Sequence, residues 1–249
     1  MTSLPRWLSS ALAAITGLLL LLTGSLFAEE MPGLLPSGVS ASSSWVDLGS
    51  AALPQHTRDL VPWKEGVPAQ SGDVSVTFRR LSGSGYAAAP GLYSGSADYV
   101  GPLKQKIFSG EVSPADLPEL KPDDFINPGV FQVSTASPAP KLQTVAFLIR
   151  IKGFPTGKHF TPFELMERIF PATLSYNQGE QALTATRRKR ISSRIDQGFP
   201  EEIYALEWDL AALGEPVREF RLQWVVYPHS CMTGLRVEQA GAPLQGSEP

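Results

Sequence analysis

From Lys141 to Ala240 the chain runs through short segments of period-two hydrophobicity, separated by turns bearing Gly or Pro. This pattern constrains the fold more than any other feature. In "KLQTVAFLIRIKGF" (Lys141 to Phe154), Leu142, Thr144, Ala146, Leu148 and Arg150 alternate with Gln143, Val145, Phe147, Ile149 and Ile151. Both sides are apolar in the middle, as in a central strand covered on both faces. "ALTATRRKRISSRID" (Ala182 to Asp196) holds two strands' worth of chain, and "IYALEWDLAAL" (Ile203 to Leu213) follows. In "VREFRLQWVVYP", Phe220, Leu222 and Trp224 share one side with Arg218, opposite Val217, Glu219, Arg221 and Gln223. Gly214 and Pro216 precede that segment, and Pro228 and Gly234 divide it from a last strand, "GLRVEQA". Strands joined by such brief turns form an antiparallel sandwich or barrel. No unit of 20–50 residues repeats, which excludes solenoids and propellers.

One helix interrupts the strands. In "TPFELMERIF", Thr161 is placed to cap, Pro162 occupies the first helical position and Glu164 completes a capping box. Phe163, Met166, Ile169 and Phe170 fall on one face, a stripe of the kind that packs into a core. Long helices are disfavoured elsewhere, because Gly and Pro number 22 each. "SPADLPELKPDDFINPGVF" has room for at most one helical turn.

Upstream, "DVSVTFRRL" (Asp73 to Leu81) reads as the first strand, with Val74, Val76 and Phe78 on its buried side. "SGSGYAAAPGLYSGS" reads as a loop; its G-x-G lacks the strand, helix and lysine of a nucleotide site. Residues 29–72 are rich in Pro, Gly, Ser and Ala and read as a linker. Trp45, Val46, Leu48, Leu60, Val61 and Trp63 would drape it over a domain surface. The expected organisation is a leader over 1–28, a linker over 29–72, a domain over 73–240 and a flexible tail over 241–249. The expected fold class is mainly β: an antiparallel β-sandwich of jelly-roll type with one short helix, preceded by a hydrophobic N-terminal helix and linker.

The leader sets the compartment. Arg6 precedes an uncharged run from Trp7 to Phe27, and Ser25 to Ala28 precede Glu29 and Glu30. This has the parts of a secretory signal, yet the run also reaches the roughly 20 residues that span a bilayer. It is either a signal cut after Ala28 or a single membrane anchor. Both export the body of the chain, since the positive end stays in the cytoplasm. The expected location is periplasmic or otherwise extracytoplasmic, with the membrane as a partner if the leader is retained. The one cysteine, Cys231, provides no disulfide framework, so the fold rests on its core; a buried thiol is the expectation.

"YALEWDLAALGEPVREFRLQWVVYPHSCMTGLRVEQ" resembles the end of galactose-binding-like β-sandwich modules. Those have an aromatic-Asp-Leu strand, an Arg-Leu strand, a Pro/Gly turn and a closing strand. The resemblance covers about 40 residues and implies a sandwich, often one that binds carbohydrate. It transfers no binding residue, because those lie on variable loops.

Catalytic signatures are sparse. There are three histidines, His56, His159 and His229. His229 and Cys231 offer two soft ligands, but a zinc site needs two more, and no G-x-S-x-G elbow occurs. No cofactor is expected. Glu201, Glu202, Glu207 and Asp209 lie near Tyr204 and Trp208, as a carboxylate pair beside aromatics would in a glycosidase; a solvated strand edge is the plainer reading. Tyr204 and Trp208 are candidates for a sugar-stacking platform. Arg187, Arg188, Lys189 and Arg190 form a run of cations, joined by Arg194. Such a run suits an anionic polymer, or else an exposed strand offset by Glu180, Asp196, Glu201 and Glu202. Strand alternation would put Arg188 and Arg190 on one side and Arg187 and Lys189 on the other. With a net charge of −3 and an exported body, nucleic acid is not an expected partner.

The expected function is a non-catalytic binding or assembly module of the cell envelope, recognising a glycan or a protein partner. One alternative is a carbohydrate-active hydrolase using Glu202, Glu207 or Asp209. Another is a membrane-tethered subunit of an envelope secretion or conjugation complex.

Overall fold

A computed structural model of the chain describes residues 31–35, 38–49, 53, 65–83, 86–88, 91–93, 106, 112–121, 128–153, 159–179, 181–196, 198–226 and 230–242. The apolar leader and the tail beyond Ala242 lie outside them. In chain order the strands are β1 (Val39–Trp45), β2 (Val67–Pro68), β3 (Ser71–Gly72), β4 (Thr77–Ser82), β5 (Tyr86–Ala88), β6 (Gly91–Tyr93) and β7 (Gly129–Thr135). Then follow β8 (Thr144–Lys152), β9 (Thr173–Tyr176), β10 (Leu183–Thr184), β11 (Arg187–Asp196), β12 (Phe199–Asp209), β13 (Phe220–Val226) and β14 (Cys231–Ala240). The helix is α1 (Pro162–Ile169), and Leu117–Glu119 forms one 3-10 turn.

The strands make two antiparallel sheets. One has eight strands along the path β11-β12-β8-β14-β1-β3, with the β5–β6 hairpin attached to β14. The other has six, in the order β10-β9-β13-β7-β4-β2. Their facing sides bury the main core. A chain of aromatic contacts crosses between the sheets: Trp45 on Phe78 at 5.9 Å, Phe78 on Trp224 at 6.0 Å, and Trp224 on Phe147 at 4.6 Å. Such pairs stabilise beyond their buried area. The mainly β, antiparallel sandwich expected from the period-two segments is what the residues form.

All nine residues of β8 are buried, as the doubly apolar pattern requires of a strand in mid-sheet. On β13, Phe220, Leu222, Trp224 and Val226 are buried and Arg221 is exposed, matching the alternation. The helix begins as its sequence dictates. The Thr161 hydroxyl accepts from the Glu164 amide at 3.2 Å, and the Glu164 carboxylate accepts from the Thr161 amide at 3.1 Å.

Three expectations need correction. The first is the linker over 29–72. Within it, β1 pairs with β14 from Val39↔Ala240 to Trp45↔Leu235, and β2 and β3 each join a sheet. Ser43 and Trp45 are buried, and the Trp45 indole donates to the Val67 and Pro68 carbonyls. "VSASSSW" imitates a linker because its small residues carry little hydrophobic signal, and the ladder to β14 is what makes it a strand. Gly72 shows how close the chains come: at φ +81°, a Cβ there would lie 2.0 Å from the Ser42 carbonyl oxygen.

Among the described residues, packing begins at Met31. Its side chain is buried with Leu148 and Ile203 on the outer side of the larger sheet, and Leu34 and Ile191 pack alongside. The Leu34 and Leu35 amides each donate to the buried Glu238 carboxylate at 3.0 Å, and Arg236 donates to the Met31 carbonyl at 3.1 Å. The compact unit therefore starts at Met31, not Asp73.

The second correction concerns "DVSVTFRRL". Residues 74 and 75 form a turn and Val74 is exposed, so the inward-facing residues are Val76, just before β4, and Phe78 and Arg80 within it. The third is the Gly-rich loop, which contains the β5–β6 hairpin. Gly91 approaches β14 so closely that a Cβ would lie 2.2 Å from the Met232 carbonyl oxygen. Glycine there permits pairing; it does not signal a loop.

Candidate functional site

Strand β12 carries most of the chemistry, and its pleat sorts that chemistry onto two faces. Tyr204, Leu206 and Trp208 point into the main core, and Glu202 shares their parity; Ile203 joins the small cluster on the outer side. Glu201, Glu207 and Asp209 share the parity of Ile203. The hydrolase alternative draws its pair from Glu202, Glu207 and Asp209; the pleat separates Glu202 from the other two and leaves Glu207 and Asp209 on one face. Glu207 lies 3.8 Å from Arg187, and Asp209 accepts from the Ala211 amide.

Trp208 is 1% exposed, and its indole donates to the Leu183 carbonyl at 3.0 Å, joining the two sheets. It offers no ring face to a sugar. The Tyr204 ring stacks on Phe163 at 4.5 Å and is also buried. Neither residue forms the sugar-stacking platform suggested by their closeness in sequence, because even-numbered positions of β12 face inward.

Where α1 meets the β11–β12 pair, a cleft of about 460 Å³ opens. The helix contributes Phe163, Glu164, Glu167 and Arg168 to its walls; the strands contribute Arg188, Lys189, Arg190, Tyr204 and Leu206. Three of the four consecutive cations therefore line one concavity. Arg188 and Arg190 arrive there because they stand opposite Leu206 and Tyr204 in the ladder, and Lys189, opposite Ala205, borders the cleft from between them. On the helix, Glu164, Glu167 and Arg168 follow the i, i+3, i+4 spacing of a polar face set against the apolar stripe. That spacing was readable in the sequence; its partner on β11 was not.

The charges are cross-tied. Arg188 donates to Glu167 at 2.8 Å, which fastens α1 to β11, and Glu167 also accepts from the Ala172 amide. Arg190 lies 3.5 Å from Glu202. The Glu202 carboxylate accepts from the Tyr204 hydroxyl at 2.8 Å, and that hydroxyl also bonds the Thr161 hydroxyl at the helix cap. Arg194 pairs with Glu201 at 2.5 Å, while Asp196 pairs with Lys152. Of the four acids expected to offset the cations, Glu201 and Glu202 do so; Glu180 lies outside the described residues. Lys189 is exposed and makes no ion pair with a described residue. Burial pushes the carboxyls of Glu202 and Glu167 above the ordinary range, against the pull of Arg190 and Arg188. Burial pushes the Tyr204 phenol up as well. These groups have settled partners, so the cleft can bind through shape and charge, with Lys189 and the outer edges of the guanidinium groups still open to solvent.

Cys231 is buried, and His159 is exposed. His56 and His229 lie outside the described residues. Among the described residues no three His, Cys, Asp or Glu side chains converge as a metal site requires, and no helix is long and apolar enough to cross a membrane. No family model, curated protein or solved structure matches the chain.

Proposed function

We propose that the protein is an exported, non-catalytic binding module of the cell envelope, with its ligand site at the cleft between α1 and the β11–β12 pair. The observation that carries this reading is the lining of that cleft. Cations and carboxylates from two elements surround the Phe163–Tyr204 stack, each acid tied to a structural partner, beside an exposed Lys189. Concave sites with a few convergent polar groups are the usual places for ligands. The buried ring faces of Trp208 and Tyr204 favour a protein partner over a sugar.

A photo-crosslinking residue at position 189, introduced into the full chain and activated in native envelopes, tests the reading. The expected result is a discrete adduct that excess unlabelled protein competes away. The same residue at position 74, exposed on a turn at the start of β4, is expected to give none. No adduct at 189, or the same adducts from both positions, refutes the reading.

A further inference from the structure

We infer that the partner is an extended acidic segment that adds as a strand along the free edge of β11, with its carboxylates against the row of Arg and Lys. This rests on the binding reading above and specifies its chemistry. The two sheets end on five edges among the described residues. Four are short: β3, β10 and β2 have two residues each, β2 containing Pro68, and β5 has three. Short edges and proline are how sheets prevent stray pairing. The fifth edge, β11, is ten residues long, and seven of them are exposed. The chain therefore keeps four edges short and leaves one long ladder of backbone donors and acceptors in solvent.

The charge on that edge selects its occupant. Five cations and one acid lie on the strand. Arg187, Arg188, Arg190 and Arg194 lean on acids of their own chain, yet their side chains stay 38–54% exposed. A guanidinium has five N–H donors, more than one carboxylate can engage. A second copy of β11 would bring cations against cations, and like charges directly opposite repel. An acidic strand meets the opposite condition. Its main chain supplies the ladder and its alternate side chains face either the cleft or the outer side, as in β-strand addition. The register shift between Arg190 and Ser192 divides the strand in two, and the Arg187–Arg190 part is the one that borders the cleft.

The test uses full-length protein in detergent and an end-blocked decapeptide of alternating Glu and Thr. Binding is followed by titration and by amide hydrogen exchange. The expected result is saturable binding that weakens as salt rises, with protection of alternate amides across Arg187–Arg190. N-methylation of alternate peptide amides is expected to weaken it at least tenfold, and the Lys/Thr counterpart is expected not to bind. Lys189→Glu, at an exposed position, is expected to lower affinity for the Glu/Thr peptide while leaving the fold intact by circular dichroism. Absence of saturable binding overturns strand addition. So does equal binding of the N-methylated peptide with protection confined to α1. If the adduct at position 189 forms in native envelopes while the peptide fails, the edge inference falls and the cleft reading stands. If both fail, both fall.

Discussion

Glu238 tests whether the docking of Met31–Leu35 is structural. Its side chain is fully buried, with Arg236 Nε 2.8 Å from one oxygen and the Leu34 and Leu35 amides each 3.0 Å from the other. The Arg236 side chain is 19% exposed and also donates to the Met31 carbonyl. Glu238→Ala leaves a largely buried guanidinium without its counter-charge and two amides without their acceptor. Breaking a buried pair from one side typically costs about 3–5 kcal/mol. Peeling of the Met31–Leu35 segment into water would relieve part of this, so the lower end, about 3 kcal/mol, is the expected loss in urea denaturation. At roughly 2–4 °C per kcal/mol for a domain of this size, the melting midpoint should fall by roughly 6–12 °C. Met31→Ala removes the apolar anchor of the same segment. In a double-mutant cycle the two losses should be less than additive by 0.5 kcal/mol or more, on the order of the coupling seen between contacting residues. A loss below about 1 kcal/mol for Glu238→Ala, or strict additivity with Met31→Ala, would refute the claim that the chain is tied down from Met31 onward.

Other predictions follow from the same contacts. Trp208→Ala should cost about 3–5 kcal/mol in denaturant unfolding, as for a large core aromatic, and a loss below 1 kcal/mol would contradict its burial. Thr161→Ala removes the helix cap and should cost about 1 kcal/mol, with Thr161→Ser recovering most of it. The raised carboxyls give a signed pH effect. A carboxyl held above its unfolded value of 4.5 binds a proton more tightly when folded, so its contribution is fully present below that pH and is lost as pH rises through the folded value. The stability of the unsubstituted protein relative to Glu202→Gln or Glu167→Gln should therefore decline as pH rises from about 4.5. Unfolding curves at stepped pH would contradict this if the difference grew instead.

Legibility in sequence followed the range of the interaction. The helix was readable to the residue, because capping box, proline and apolar stripe all act within ten residues. Strands β8 and β13 were readable because their alternation reports burial directly. Strand β1 was not: its Ser and Ala residues carry the composition of a linker, and what makes them a strand is β14, about 190 residues away in the chain. At the site, Arg188 and Arg190 could be assigned to one side of their strand. Their juxtaposition with Glu167 could not, since α1 and β11 share no local pattern. Trp208 and the acids of β12 were grouped by nearness in sequence, and the pleat then placed Glu201, Glu207 and Asp209 on the face opposite Trp208 and Glu202.

The sequence by itself determined a sheet-built protein with one capped helix, because hydrophobic period and capping are local properties that each segment carries alone. Tertiary structure decided the rest: that Met31–Leu35 packs on the larger sheet, that the cation row borders a cleft, and that one sheet edge stays long and open. Each of these depends on which distant segments become neighbours, and that is settled by the joint burial of the core, not by any single stretch of chain.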